Sequence, residues 1–225
     1  MSRPVKISDR SRPWCEPRTA RSVRDVGSRP TQPRLLIVCE GKKTEPNYFL
    51  ALGMAIPTAH GSVRVEGLGD HTLSLVERAV ALRDTLLRSR EVTETWVVFD
   101  RDSFEPAAFD NAIDKANKLG LECAWSNEAF ELWFLLHFEN RQSAMSRKEY
   151  SGRLRRHLKR PYRKNAEDML ELLTRLGSET KAIRWAEGLL DAHPLAAAPH
   201  DRNPCTTVHT LVRRLRTMIA GQGGE

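Results

Sequence analysis

The sequence predicts an α/β fold: a mainly parallel sheet sandwiched by helices, continued by a C-terminal helical extension. Three observations carry that prediction. Leu35–Cys39 is a short, continuous apolar run, as expected of a strand buried on both faces of a parallel sheet, and Thr95–Phe99 is a second strand rich in β-branched and aromatic residues. Between them lie amphipathic stretches such as Leu75, Ala79, Leu82 and Leu86, where apolar residues recur at helical spacing. Strand and helix patterns alternate from residue 35 to residue 138, the order that a three-layer α/β sheet requires.

Taken in order, the strand at 35–39 ends in Glu40-Gly41, a break suited to a loop. Pro46 then fits the first turn of a helix running through Tyr48, Phe49 and Leu52. A weaker strand is expected at 62–66. Gly67, Gly69 and Asp70 form a turn before a helix over 72–90. The strand at 95–99, rich in β-branched and aromatic residues, runs directly into Asp100-Arg101-Asp102. A helix over 106–119 is stopped by Gly120, and a strand follows at 121–125. Asn127 is placed to cap an apolar helix over 128–138. Beyond Asn140 the pattern turns helical: a basic stretch at 147–160, then 164–176, 178–192 and 206–220. Three regions result: a basic tail (1–33) with too few apolar residues to fold alone, an α/β core (34–140), and a helical extension packed on it (141–225).

Composition excludes several classes. Of 225 residues, 40% are hydrophobic and 29% charged, which suits a chain that buries a core. No apolar run reaches the roughly 18 residues that span a bilayer, and the amino terminus has no apolar signal core, so the protein is expected to stay in the cytoplasm. Cys15, Cys39, Cys123 and Cys205 are far apart and form no CxxC pair, which argues against a zinc site or disulfide framework. The seven histidines are scattered and are read as structural or surface residues. The net charge is +7, yet residues 1–34 hold nine Arg or Lys against three acids. The surplus therefore belongs to the tail, which would draw in a polyanion such as nucleic acid by counterion release, or would serve only solubility.

In open α/β sheets, ligands gather beyond the carboxyl ends of the strands. Two strands here end in acids: Glu40 after the first, and Asp100 with Asp102 after the third. If those strands are neighbours, three carboxylates converge and repel one another unless a cation neutralises them. Oxygen donors without nearby Cys or His suit Mg²⁺ or Mn²⁺, which supports phosphodiester cleavage by activating water and stabilising developing charge. Left off the metal, Glu40 would serve as general acid or base. The other reading is that these acids are solvated strand-end residues.

Gly41-Lys42-Lys43-Thr44 hints at a phosphate-binding P-loop, but Leu36 stands where that motif needs Gly, and Lys43 where it needs Ser or Thr. Asp100-Arg101-Asp102 also fits a haloacid-dehalogenase-type phosphatase, in which the first Asp attacks. There a pair such as Gly-Thr normally follows, and here Ser103-Phe104 does.

The run from Val38 through Glu40-Gly41-Lys42-Lys43-Thr44-Glu45-Pro46 to Phe49 resembles the opening signature of the RloB-like proteins. The same order continues with Val98–Asp102, Ser126–Trp133, Leu136-His137-Phe138, Tyr162-Arg163-Lys164 and Asn203–Val208, together covering about residues 35–215. Cys205 departs from the expected Ser. The resemblance implies a Toprim/Rossmann-like fold, as in primases, topoisomerases and OLD-family nucleases, with Glu40, Asp100 and Asp102 as its metal-handling acids. It further implies a Mg²⁺- or Mn²⁺-dependent nuclease cutting RNA (such as tRNA) or DNA in bacterial antiphage defence. An ABC- or AAA-type ATPase partner encoded nearby is part of that expectation, and a homo-oligomer is compatible with it.

Around this triad, Lys43 and Lys42 sit where an ammonium group would hold the scissile phosphate or its transition-state charge, or else lie in a solvated loop. Glu131, inside the apolar stretch Phe130–Leu136, needs a partner if buried and is a candidate fourth metal ligand or an ion-pair member. Arg155, Arg156 and Arg160 on the basic helix are candidate nucleic-acid contacts. A non-catalytic nucleic-acid-binding module remains the alternative to the enzyme.

Overall fold

The computed structural model describes residues 32–69, 72–89, 91–102 and 105–221. The basic tail lies outside the described residues except for its last two. Gln32–Glu225 forms one compact unit.

Among the described residues, five strands make one sheet: β1 (Arg34–Cys39), β2 (Ser62–Gly67), β3 (Glu94–Asp100), β4 (Glu122–Asn127) and β5 (Cys205–Thr206), in the order β2-β1-β3-β4-β5. The first four are parallel, with Val38 opposite Glu66 and Val97 in the β1 register, and Asp100 opposite Ser126. β5 alone is antiparallel, closing on Ser126 and Asn127.

Among the described residues, eight α-helices cover both faces: α1 (Thr44–Gly53), α2 (Thr72–Arg88), α3 (Pro106–Lys118), α4 (Glu131–Leu135), α5 (Arg147–Leu158), α6 (Met169–Leu176), α7 (Glu179–Asp191) and α8 (Val208–Ala220). Period-two alternation along the strands sorts the core into two layers. Leu35, Ile37 and Cys39 of β1, with Trp96 and Val98 of β3, face α1 and the helices from α4 onward. Leu36, Val38, Val97 and Phe99 point the other way, onto α2 and α3.

This distribution follows from connection handedness. The chain leaves β1 toward β2 on one side and leaves β3 toward β4 on the other. Right-handed crossovers in opposite directions put α1 and α3 on opposite faces. The divergence point, between the carboxyl ends of β1 and β3, is a topological switch point, where α/β sheets open a crevice.

Three expectations are corrected. Asn127 does not cap a helix: it is the last residue of β4, and its side-chain amide donates to the His200 carbonyl at 2.8 Å. The helix expected over 128–138 is a single short turn of helix, Glu131–Leu135, because residues 128–130 are taken up in leaving the sheet. The helix expected over 206–220 begins at Val208, since Thr206 pairs with Ser126 in the sheet. The carboxyl-terminal stretch thus contributes a strand to the sheet as well as helices.

Candidate active site

Glu40 follows β1 directly, and its backbone N–H still donates to the Val98 carbonyl at 2.8 Å, so the loop starts in sheet register. Its carboxylate turns across the switch point and accepts from the Asp100 backbone N–H at 3.2 Å. The two strand ends predicted to converge therefore do so. Asp100 ends β3 and is 7% exposed. Asp102, two residues on, has φ +42°, a left-handed conformation that Asp tolerates better than most residues and that marks a constrained turn. Its N–H donates to the Glu128 carbonyl at 3.0 Å, which ties the turn to the exit of β4.

Glu40, Asp100, Asp102 and Glu131 line one cavity of about 550 Å³. Lys42, Lys43 and Lys164 line it too, with two residues that sequence reasoning passed over, Glu45 and Arg147. Glu45 lies in the first turn of α1 against Gly41, whose missing Cβ leaves room for the Glu45 carboxylate. Gly67 performs a similar service: a Cβ there would meet Pro46 and the carbonyls of Gly41 and Lys42 within 3.0 Å. Glu131 opens α4 and accepts from the Tyr162 hydroxyl at 3.2 Å, with the Lys164 ammonium 3.8 Å away. The segment carrying Tyr162 and Lys164 is pinned to the start of α1: the Thr44 hydroxyl donates to the Lys164 carbonyl at 2.8 Å.

The acids are electrostatically strained. Burial pushes the Glu45 carboxyl up to about 7, against a lowering hydrogen bond from its own backbone; Glu131 and Glu40 push it further and Lys164 opposes. Burial also holds Asp100 well above the carboxylate range, helped by Glu45 and Glu131 and opposed by the Phe130 amide and Arg147. Arg147 is the main internal counter-charge, 3.0 Å from Asp102 and 3.5 Å from Asp100.

The donor set suits a hard divalent cation. Its anionic groups are carboxylates, no Cys or His lines the cavity, and Asp100 Oδ1 and Glu45 Oε2 are buried without a hydrogen-bond partner. Among the described residues, no three His, Cys, Asp or Glu side chains are gathered as a ready-made ligand set.

The candidate nucleic-acid contacts fare differently. Lys42 lies across Gly69 at the cavity rim. Arg155 and Arg156 are exposed on α5 and do not line the cavity. Arg160, beyond the end of α5, is forked onto Asp168 at 2.8 and 2.6 Å. It lines a neighbouring cavity of about 800 Å³ with Arg163, and the two cavities share Lys164 and Asn165. Arg163 and Lys164 were visible in sequence only as part of a short block, with nothing to place them at the site.

A mostly parallel five-stranded sheet between helices, with an acidic crevice at its switch point, is consistent with a Rossmann- or Toprim-like α/β domain. Residues 35–215 match the family described as RloB-like protein, and the chain belongs to that family. No curated protein and no solved structure matches it. Among the described residues, no helix is long and apolar enough to cross a membrane.

Proposed function

We propose that the protein is a metal-dependent phosphodiesterase of the nuclease class, acting on RNA or DNA. The observation that carries this reading is the hydrogen bond from the Asp100 backbone N–H to the Glu40 carboxylate across the switch point, with Asp102 and Glu131 lining the same cavity. Glu40, Asp100 and Asp102 would hold Mg²⁺ or Mn²⁺, with Glu131 as a further ligand. When bound, such a cation supplies an activated water and a counter-charge for the phosphate. Lys42, Lys43 and Lys164 at the rim would receive the phosphate's oxygens. Glu45, whose carboxyl titrates near neutrality, is suited to hold or release a proton there. The adjoining cavity with Arg160 and Arg163 offers a path for the strand beyond the scissile bond. Bacterial antiphage defence and an ABC- or AAA-type ATPase partner are proposed on the family likeness alone.

The Arg147 pairs favour one second reading, a nucleic-acid-binding module in which arginine permanently neutralises the aspartates. The test is incubation with tRNA, single-stranded DNA and duplex DNA in Mg²⁺, Mn²⁺ or EDTA, with and without a candidate ATPase partner. Metal-dependent cleavage lost in Glu40→Ala and Asp100→Ala is the expected result. Metal-independent binding without cleavage under all conditions would establish the module, and turnover of a generic phosphate ester a phosphatase.

A further inference from the structure

Arg147 is the least expected member of the site. It is the first residue of α5, fixed there by Ser146, whose N–H and hydroxyl both donate to the Glu149 carboxylate at 2.8 Å. A cation at a helix amino terminus opposes the helix dipole, so local structure gives no reason for arginine at this position. Its reason must lie in what the side chain touches.

A purely structural ion pair is stable when both partners are fully satisfied, since desolvation otherwise outweighs the attraction. Here the pairing is incomplete on both sides. The guanidinium makes its good contact with the part-exposed Asp102 at 3.0 Å and only a long one, 3.5 Å, with the buried Asp100. Arg147 Nε and Asp100 Oδ1 are both buried without a partner. The arginine thus stands on the two carboxylates without using its planar fork on either. That fork matches the oxygens of a phosphate, which it can bind through two parallel N–H groups.

We infer that Arg147 is a substrate-binding catalytic residue: its guanidinium competes with a divalent cation for Asp100 and Asp102 and, with the cation bound there, would take the non-bridging oxygens of the phosphodiester. This rests on the metal-dependent reading above. It makes Arg147 a competitor of the cation for the two aspartates and a partner of the substrate once the cation is bound. Simple neutralisation of an aspartate predicts only the first of these.

The experiment uses the full chain and two readouts that do not depend on turnover. Mn²⁺ binding is measured by electron paramagnetic resonance for the wild type, Arg147→Gln, Arg147→Lys and Glu40→Ala. Binding of a short oligonucleotide made non-cleavable by methylene in place of its bridging oxygens, with the non-bridging oxygens intact, is then measured with Mn²⁺ present, and circular dichroism checks that each variant is folded. Arg147→Gln should bind Mn²⁺ about tenfold tighter, as expected for removing one charge-assisted contact, and the oligonucleotide about tenfold weaker. Arg147→Lys, with charge but no fork, should fall between in oligonucleotide affinity and serves as the decisive variant if Gln does not fold. Unchanged or weaker Mn²⁺ binding in Arg147→Gln would overturn the competition, and unchanged oligonucleotide affinity would overturn the substrate role. Mn²⁺ binding absent from all four proteins would overturn the metal-dependent reading itself, and this inference with it.

Discussion

Glu45→Gln should stabilise the protein at alkaline pH and lose that advantage in acid. The Glu45 carboxyl is raised from an ordinary 4.5 to about 7 by burial and the neighbouring acids. Above pH 7 it is ionised in both the folded and the unfolded chain, and only the folded chain bears the penalty. At about 1.4 kcal/mol per pKa unit, the penalty is about 3 kcal/mol. Between pH 7 and 4.5 the folded state binds the proton at Glu45 first, so the contribution of this group to wild-type stability rises as pH falls. Below 4.5 both states are protonated and the penalty is gone. Glutamine has nearly the same shape and no charge, so the variant should melt about 6–12 °C higher at pH 8, given about 2–4 °C per kcal/mol for a chain of this size. The two melting curves should converge near pH 4.5. The assay is differential scanning calorimetry from pH 4.5 to 8.5 with EDTA present. A melting difference that stays constant across that range, or a variant less stable at pH 8, would refute the account of a desolvated, mutually repelling acid cluster.

Two further predictions test neighbouring parts of the structure. His137 is buried, shares a 3.0 Å hydrogen bond with the Trp133 carbonyl, and is pushed down to about 4, chiefly by burial. Its depressed value favours the neutral ring in the folded state, so stability is complete above pH 6.5 and falls by about 3 kcal/mol toward pH 4. His137→Gln should remove that fall and uncover the opposite slope, with stability rising as pH falls from 7 to 4.5, in denaturant titrations at successive pH values, whatever it costs at neutrality. In the wild type this slope opposes that of Glu45 over the same window, so each variant should expose the other's. Lys164→Ala should weaken single-stranded nucleic-acid binding about tenfold and lower the salt slope by about one, because one phosphate contact is lost; fluorescence anisotropy at two or more salt concentrations reads both.

The strands were legible because parallel strands buried on both faces are apolar at every position, as Leu35–Cys39 and Trp96–Phe99 are. The acids at their ends were legible for the same reason: a charged residue closing an apolar run can only sit at the rim. Glu45 was harder, because an acid in the first turn of a helix already has a sufficient explanation in the helix dipole. Arg147 was not readable as part of the site. Its contacts with Asp100 and Asp102 depend on how α5 sits against the strand ends, which no local pattern encodes. Asn127 misled because an Asn before an apolar run is a good capping signal. What overrode it was a tertiary pairing with Cys205, nearly eighty residues away, through a strand only two residues long.

The cavity neutralises its acids in three different ways, and none is complete. Arg147 reaches Asp102 well and Asp100 poorly. Lys164, half-exposed, stands 3.8 Å from Glu131, outside hydrogen-bond range. Glu45 is relieved by a proton that it holds only below about pH 7. A site serving stability alone would replace such a cluster with apolar groups or full pairs, since buried ionic groups contribute little net stability even when well paired. Partial compensation keeps the chain folded while leaving the acid oxygens exchangeable, which is the condition for a carboxylate cluster to accept a divalent cation. The imperfections of the three counter-charges are therefore better evidence for the proposed metal chemistry than the number of acids. An acid cluster can be assembled by chance at a strand rim, whereas the unpartnered buried oxygens of Asp100 and Glu45 are what the proposed cation would satisfy.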